Sequence, residues 1–154
     1  MKISPKFFKR MLNLYPPYLG AGIKINYISN DWRELHVSMS LRWFNRNAVG
    51  THFGGSLYSM IDPHLMLLIM QLLGKEYRVW DKAAEIEFIK ASKKKVTSII
   101  KISNNDLEEI RRHTEAGEKY FPEFMVEIRD DENDLVARVK KVIYVRKKMR
   151  HTVA

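Results

Sequence analysis

Residues 54–74 read GGSLYSMIDPHLMLLIMQLLG, and this stretch decides the fold. Gly54 and Gly55 open it, Gly74 closes it, and the residues between predict a helix to about Leu73 with apolar side chains on most of its circumference. Such a helix must be wrapped by other elements. Its apolar part, Leu57 to Leu73, carries Ser59, Asp62, Pro63, His64 and Gln71, and so falls short of the about 18 clean apolar residues that cross a bilayer. A core helix without membrane insertion is expected.

Outward from that helix the chain alternates. Residues 23–29 and 34–44 predict two strands, the second placing Leu35, Val37, Met39, Leu41 and Trp43 on one face and His36, Ser38, Ser40 and Arg42 on the other. Four more strands are expected at about 82–90, 95–103, 123–130 and 134–146, the last two joined by the polar turn DDEND. A charged helix at about 105–116, capped by Asn104 or Asn105 and ended by Gly117, separates the middle two. At the N-terminus Pro5 to Tyr15 forms an amphipathic capping helix, stopped by Pro16-Pro17. The order β-β-α-β-β-α-β-β with one buried helix predicts an α+β fold, an antiparallel sheet of about six strands curled around that helix. A length of 154 residues suits one domain, residues 1–154.

Composition narrows the chemistry. The chain has no cysteine, which removes thiol nucleophiles, cysteine-ligated metals and disulfides. With 27 Lys and Arg against 18 Asp and Glu the net charge is +9, which favours an anionic partner. The N-terminal residues are interrupted by Lys and Arg and lack the apolar core of an export signal, so a cytoplasmic location is expected. GTHFGGS lacks the Lys of a phosphate-binding loop, and Gly54-Gly55-Ser56-Leu57-Tyr58 lacks the final Gly of a nucleophile elbow. His113-Thr114-Glu115 has no cysteines to complete a zinc site, HExxH is absent, and Asp62 and His64 point to different sides of a helix, so no metal is expected.

The segment NAVGTHFGGSLYSMIDP, residues 47–63, is the candidate site. Glycines at a helix start leave unpaired N–H groups that can receive a carbonyl oxygen becoming negative. Gly55, Ser59, Asp62 and Met66 follow at spacings of four, three and four, a polar stripe on an apolar helix. Asp62 is the candidate general base or nucleophile. Asp-Pro is also a common helix start, so Asp62 could instead cap a shorter helix. His52 and His64 are expected to be packing residues.

These residues resemble the helix-entry motif of hotdog-fold acyl-CoA thioesterases of the phenylacetyl-CoA thioesterase type: Asn, two residues, Gly, two residues, His-Gly-Gly, then Asp seven after the second Gly. Asn47, Gly50, Gly54, Gly55 and Asp62 fall in register, while Phe53 stands in place of the His. An uncharacterised branch of that superfamily is similar, with Phe-Gly-Gly-Ser-Leu-Tyr, Asp-Pro, and a later Trp-Asp-Lys, here Trp80, Asp81 and Lys82. The resemblance implies a homo-oligomer, dimer or tetramer, that hydrolyses acyl-CoA or acyl-carrier thioesters, with coenzyme A as part of the substrate and no other cofactor. By the same resemblance the Gly55 N–H polarises the thioester carbonyl beside Gly54, Asn47 positions substrate or water, and Asp62 activates water or attacks directly. Ser59 and Asp81 would support them.

Two basic concentrations complete the reading. Lys90, Lys93, Lys94 and Lys95 lie in one loop, either a dock for coenzyme A phosphates or a solvated turn. Arg138 to Arg150 holds seven cations and no acid, which keeps open a non-catalytic hotdog module that binds an acyl ligand or an acidic partner. Nucleic acid is disfavoured, since no helix-turn-helix or aromatic RNA-binding signature is present. A hotdog dehydratase is disfavoured because its catalytic His has no clear place.

Overall fold

Alternating apolar residues resolve into one antiparallel sheet in the computed structural model, which describes residues 3–149. The strands are β1 (Ile23–Ile28), β2 (Glu34–Met39), β3 (Tyr77–Phe88), β4 (Val96–Lys101), β5 (Lys119–Tyr120), β6 (Glu123–Asp130) and β7 (Leu135–Lys147). Their order is β1-β2-β4-β6-β7-β3, with β5 also paired to β7. Six strands were expected; the seventh, β5, is two residues long and too short for alternation to reveal. Inward residues Leu35, Val37 and Met39, Val96 and Ile100, Val126 and Ile128, and Val139, Ile143 and Val145 are buried in one cluster with the central helix.

That helix comes in two pieces, α3 (Gly54–Ser59) and α4 (His64–Leu73), joined by a turn. Pro63 has no N–H to continue the ladder, so the expected single helix breaks there. By length and composition alone residues 54–73 could pass for a membrane span. Instead Leu57, Met60, Ile61, Leu65, Leu68 and Ile69 are buried in the core.

Other elements depart from the sequence expectation for local reasons. The prolines at 16 and 17 end α1 (Pro5–Asn13) and also open a second helix, α2 (Pro16–Ala21), because proline is preorganised for the first helical position. Strand β2 stops at Met39 instead of running to residue 44. Buried Asn45 turns the chain there, accepting from the Arg42 N–H at 2.7 Å and donating to the Ala21 and Ser40 carbonyls, each at 3.0 Å. Trp43, expected inside, is 80% exposed. Gly22, at φ +74°, lies where a Cβ would come within 2.7 Å of the Asn45 amide. Helix α5 (Asn104–His113) is capped by Ser103 in a reciprocal box with Asp106, not by an asparagine. Strand β3 begins at Tyr77, ahead of the expected start near residue 82.

The two sheet edges differ. The Asn13 amide bonds both backbone groups of Ile25, and Lys9 Nζ bonds the Asn26 carbonyl, so α1 covers the β1 edge. The other edge, β3, is a 12-residue strand hydrogen-bonded on one side to β7.

Candidate active site

Asp62 sits in the turn between α3 and α4 with 45% of its side chain exposed. It does not cap α4, whose cap position is Pro63. Its Oδ1 instead accepts from the Tyr58 hydroxyl at 2.7 Å and from Lys141 Nζ at 3.0 Å. Both contacts fall on one oxygen, which leaves Oδ2 for water or substrate.

Lys141 has no exposed surface. It lies on β7 in phase with buried Ala137, Val139, Ile143 and Val145, so the pleat carries it inward. Its Nζ is 2.7 Å from Asp81 Oδ1 as well as 3.0 Å from Asp62 Oδ1, and 5.5 Å from the centre of the Tyr58 ring. A bulge between Asp81 and Ala83 locally bends β3 where it supplies Asp81. Burial pushes the Asp81 carboxyl above its ordinary range, against the pull of Lys141. Burial alone would lower the Lys141 ammonium, but Asp81 and Asp62 together hold it above its ordinary value. Burial and the bond to Asp62 raise the Tyr58 hydroxyl.

At the other end of the stripe, Phe53 caps α3 without a side-chain bond, and the Ser56 and Leu57 N–H groups take its carbonyl. The Gly54 and Gly55 N–H groups belong to the first turn and have no intrahelical acceptor. Two rings pack on these glycines: a Cβ on Gly55 would lie 2.5 Å from Phe53, and one on Gly54 would lie 2.9 Å from Phe88. A cleft of about 290 Å³ opens beside them, lined by Asn47, His52, Gly54, Phe88, Lys90 and Ser92 among others.

The remaining expected site residues divide. Asn47 lines the cleft, but its amide braces its own loop, donating to Thr51 Oγ1 and the His52 carbonyl and accepting from the Val49 and Thr51 N–H groups. Ser59 donates to the Gly55 carbonyl one turn back, at 2.8 Å. Lys90 is paired with Asp134 and Lys94 with Glu132, so acids of the β6–β7 turn neutralise half of the lysine loop; Lys93 and Lys95 are exposed. His52 Nε2 bonds the Lys94 carbonyl at 2.7 Å, and buried His64 Nε2 bonds the Tyr18 hydroxyl at 2.8 Å. Both histidines are buried, His52 beside the cleft and His64 in the core. Burial drives the His64 imidazole down to about 3 and raises the Tyr18 hydroxyl.

The C-terminal cations do not act as one free strip. Arg138, Lys140 and Arg146 share the outward phase of β7, where Arg138 pairs with Glu87 and Glu127, Lys140 with Glu123, and Arg146 bonds the Gly117 carbonyl, while alternation turns Lys141 inward as the buried cation. Arg150 lies outside the described residues. Lys141 and Tyr58 are the site residues that sequence reading missed. The signal for Lys141 was its place in the inward phase of an otherwise apolar strand. Among the described residues no group of three or more His, Asp or Glu side chains is arranged to hold a metal ion.

Comparison with known proteins places this geometry. A family model described as "Domain of unknown function (DUF4442)" matches residues 4–145. No curated protein matches the chain. A Pseudomonas aeruginosa protein of unknown function, described as a probable thioesterase, superposes with a TM-score of 0.81 at 12% identity, covering 96% of this chain and 98% of that one. A Haemophilus influenzae thioesterase gives 0.69 at 14% identity over 99% and 96% of the two chains. A Chlorobaculum tepidum protein of unknown function gives 0.73 at 18% identity over 96% and 99%. At these identities the likeness establishes the fold, a hotdog fold with its antiparallel sheet curled around the central helix.

Proposed function

We propose that this chain, which belongs to the DUF4442 family of domains of unknown function, hydrolyses acyl thioesters with Asp62 as its reacting carboxylate. The observation that carries the reading is the clamp on Asp62. A buried ammonium and a tyrosine hydroxyl hold one carboxylate oxygen while nearly half the side chain stays open to solvent. A cap or a surface acid needs no such support. Held this way, Asp62 can take a proton from water as the water adds to the thioester carbonyl, or attack that carbonyl itself to give a mixed anhydride that water then cleaves to the free acid and the carboxylate. The Gly55 N–H, with Gly54 beside it, receives the oxygen that becomes negative, and the thiolate leaves. Coenzyme A or an acyl carrier supplies the thiol; Lys90 lines the cleft but is paired with Asp134, which leaves the exposed Lys93 and Lys95 of the same loop to meet phosphate.

Gly55 lies in the first turn of α3 and Asp62 in the turn after it, seven residues on, a separation of roughly 10 Å at helical rise and too far for both to reach one carbonyl. The reading therefore takes Asp62 from one subunit and Gly55 from another across a two-fold axis. The β3 edge of the sheet and the exposure, full or partial, of Gly55, Ser59, Asp62 and Met66 support that arrangement. A monomer retaining full activity in dilute solution would overturn it.

Asp62→Asn keeps the shape of the side chain and removes its charge. Assayed by thiol release over a panel of acyl-CoA thioesters, it is expected to lose at least about a hundredfold in turnover while remaining folded. Unchanged turnover in the variant would end the catalytic reading. Acyl-ligand binding by the wild type without any turnover would favour the non-catalytic module.

A further inference from the structure

Outside the site, one face of the molecule combines exposed apolar groups with cations that have no ion-pair partner. On α1, Phe8 points into the core, while Phe7, Met11 and Leu14 form an outward stripe at helical spacing, and Leu14 is 72% exposed. Tyr15 and Leu19 extend the stripe onto α2. The Asn45 bond to the Ala21 carbonyl fastens the 41–46 loop to the end of α2, where Trp43 and Phe44 pack edge-to-face and remain exposed.

The segments that carry these groups hold charge of one sign. Residues 3–30 and 35–61 contain no Asp or Glu. Lys6, Arg10, Lys24, Arg42 and Arg46 are exposed and form no ion pair among the described residues. Elsewhere Lys90, Lys94, Lys101, Arg112, Arg129, Arg138 and Lys140 are paired with carboxylates, although exposed Lys93 and Lys95 form no ion pair among the described residues. Unpaired cations beside protruding aromatic and aliphatic side chains suit a surface of phosphates above hydrocarbon. A second copy of this face would bring like charges together. An acidic protein would satisfy the cations but offers no hydrocarbon layer for side chains that protrude singly.

We propose that this N-terminal face docks on bilayers containing anionic phospholipid. Phe7, Met11, Leu14 and Trp43 enter the boundary between headgroups and acyl chains, and Lys6, Arg10, Arg42 and Arg46 meet the phosphates. The chain lies on the membrane and does not span it.

The test is co-sedimentation of the full chain with vesicles of phosphatidylcholine, with and without phosphatidylglycerol. Wild type is expected to pellet with the anionic vesicles, to stay in solution with the neutral ones, and to be released as salt is raised. At about 1 kcal/mol per cation, the Lys6→Gln, Arg10→Gln double variant should bind at least about tenfold more weakly. Leu14→Ser with Trp43→Ser should also bind about tenfold more weakly, its melting and oligomeric mass unchanged. Equal binding to neutral vesicles, no binding to either, or wild-type affinity in the charge variant would overturn the proposal. So would a loss of oligomeric mass in the Leu14, Trp43 variant, because the face would then be a subunit contact.

Discussion

Lys141→Met should destabilise the fold by about 3 kcal/mol or more, read as a lower urea midpoint with unchanged slope. Methionine fills nearly the same volume, so packing is preserved and the loss is electrostatic. The variant leaves Asp62 and Asp81 close together with no cation between them. Asp81 is the less exposed of the two, and Lys141 is what keeps its raised carboxyl from rising further. Without the ammonium, Asp81 should take up a proton in the folded state at a higher pH than in the unfolded chain. The sign follows: the variant's deficit is largest above that raised value and shrinks as pH falls through it. Adding Asp81→Asn to Lys141→Met removes the unpaired charge and should restore much of the stability at neutral pH. If Lys141→Met is as stable as wild type at neutral pH, the buried cation is not holding the site together.

Acid should unfold the protein through His64, and His64→Gln should blunt that sensitivity. The imidazole is fully buried against Tyr18, and burial lowers it from 6.5 to about 3, more than attraction to the Met60 backbone and Asp62 can offset. The folded state thus binds fewer protons than the unfolded one, so stability is full above pH 6.5 and falls as pH drops toward 3. At about 1.4 kcal/mol per pH unit the loss is on the order of 5 kcal/mol, a large share of a typical domain's stability. Glutamine can keep the contact to the Tyr18 hydroxyl and does not titrate. Urea melts at successive pH values should show the variant losing several kcal/mol less than wild type between neutrality and pH 4. Parallel pH dependence in the two proteins would rule His64 out as the acid-sensitive group.

The layout of the fold was legible because burial writes itself into periodicity. Leu35, Val37 and Met39 in β2 and the apolar body of the central helix signalled their surroundings directly. What failed were cases where one residue has two uses. Pro16-Pro17 was read as a stop when proline also starts helices, and Trp43 continued an alternation that Asn45 had already ended by turning the chain. At the site, Asp62 and the glycines were visible through spacing, and Asp81 only through the family resemblance of its Trp-Asp-Lys triplet. Lys141 was not, because its neighbours Arg138, Lys140 and Arg146 made it look like one more surface cation. Charge runs in sequence do not say which members a pleat turns inward.

The enclosed ammonium of Lys141 has a consequence for chemical integrity. Thioesters acylate free amines, so under the proposed function a lysine beside Asp62 would ordinarily risk being consumed by the substrate. Lys141 escapes on two counts: it is kept protonated by Asp81 and Asp62 and therefore lacks a lone pair, and no part of it reaches solvent. Lys93 and Lys95, on an exposed loop, lack that enclosure. In a population aged with a reactive acyl donor, amide formation should therefore gather on Lys93, Lys95 and their exposed neighbours, and an acylated Lys141 would mark a molecule that had first come unfolded.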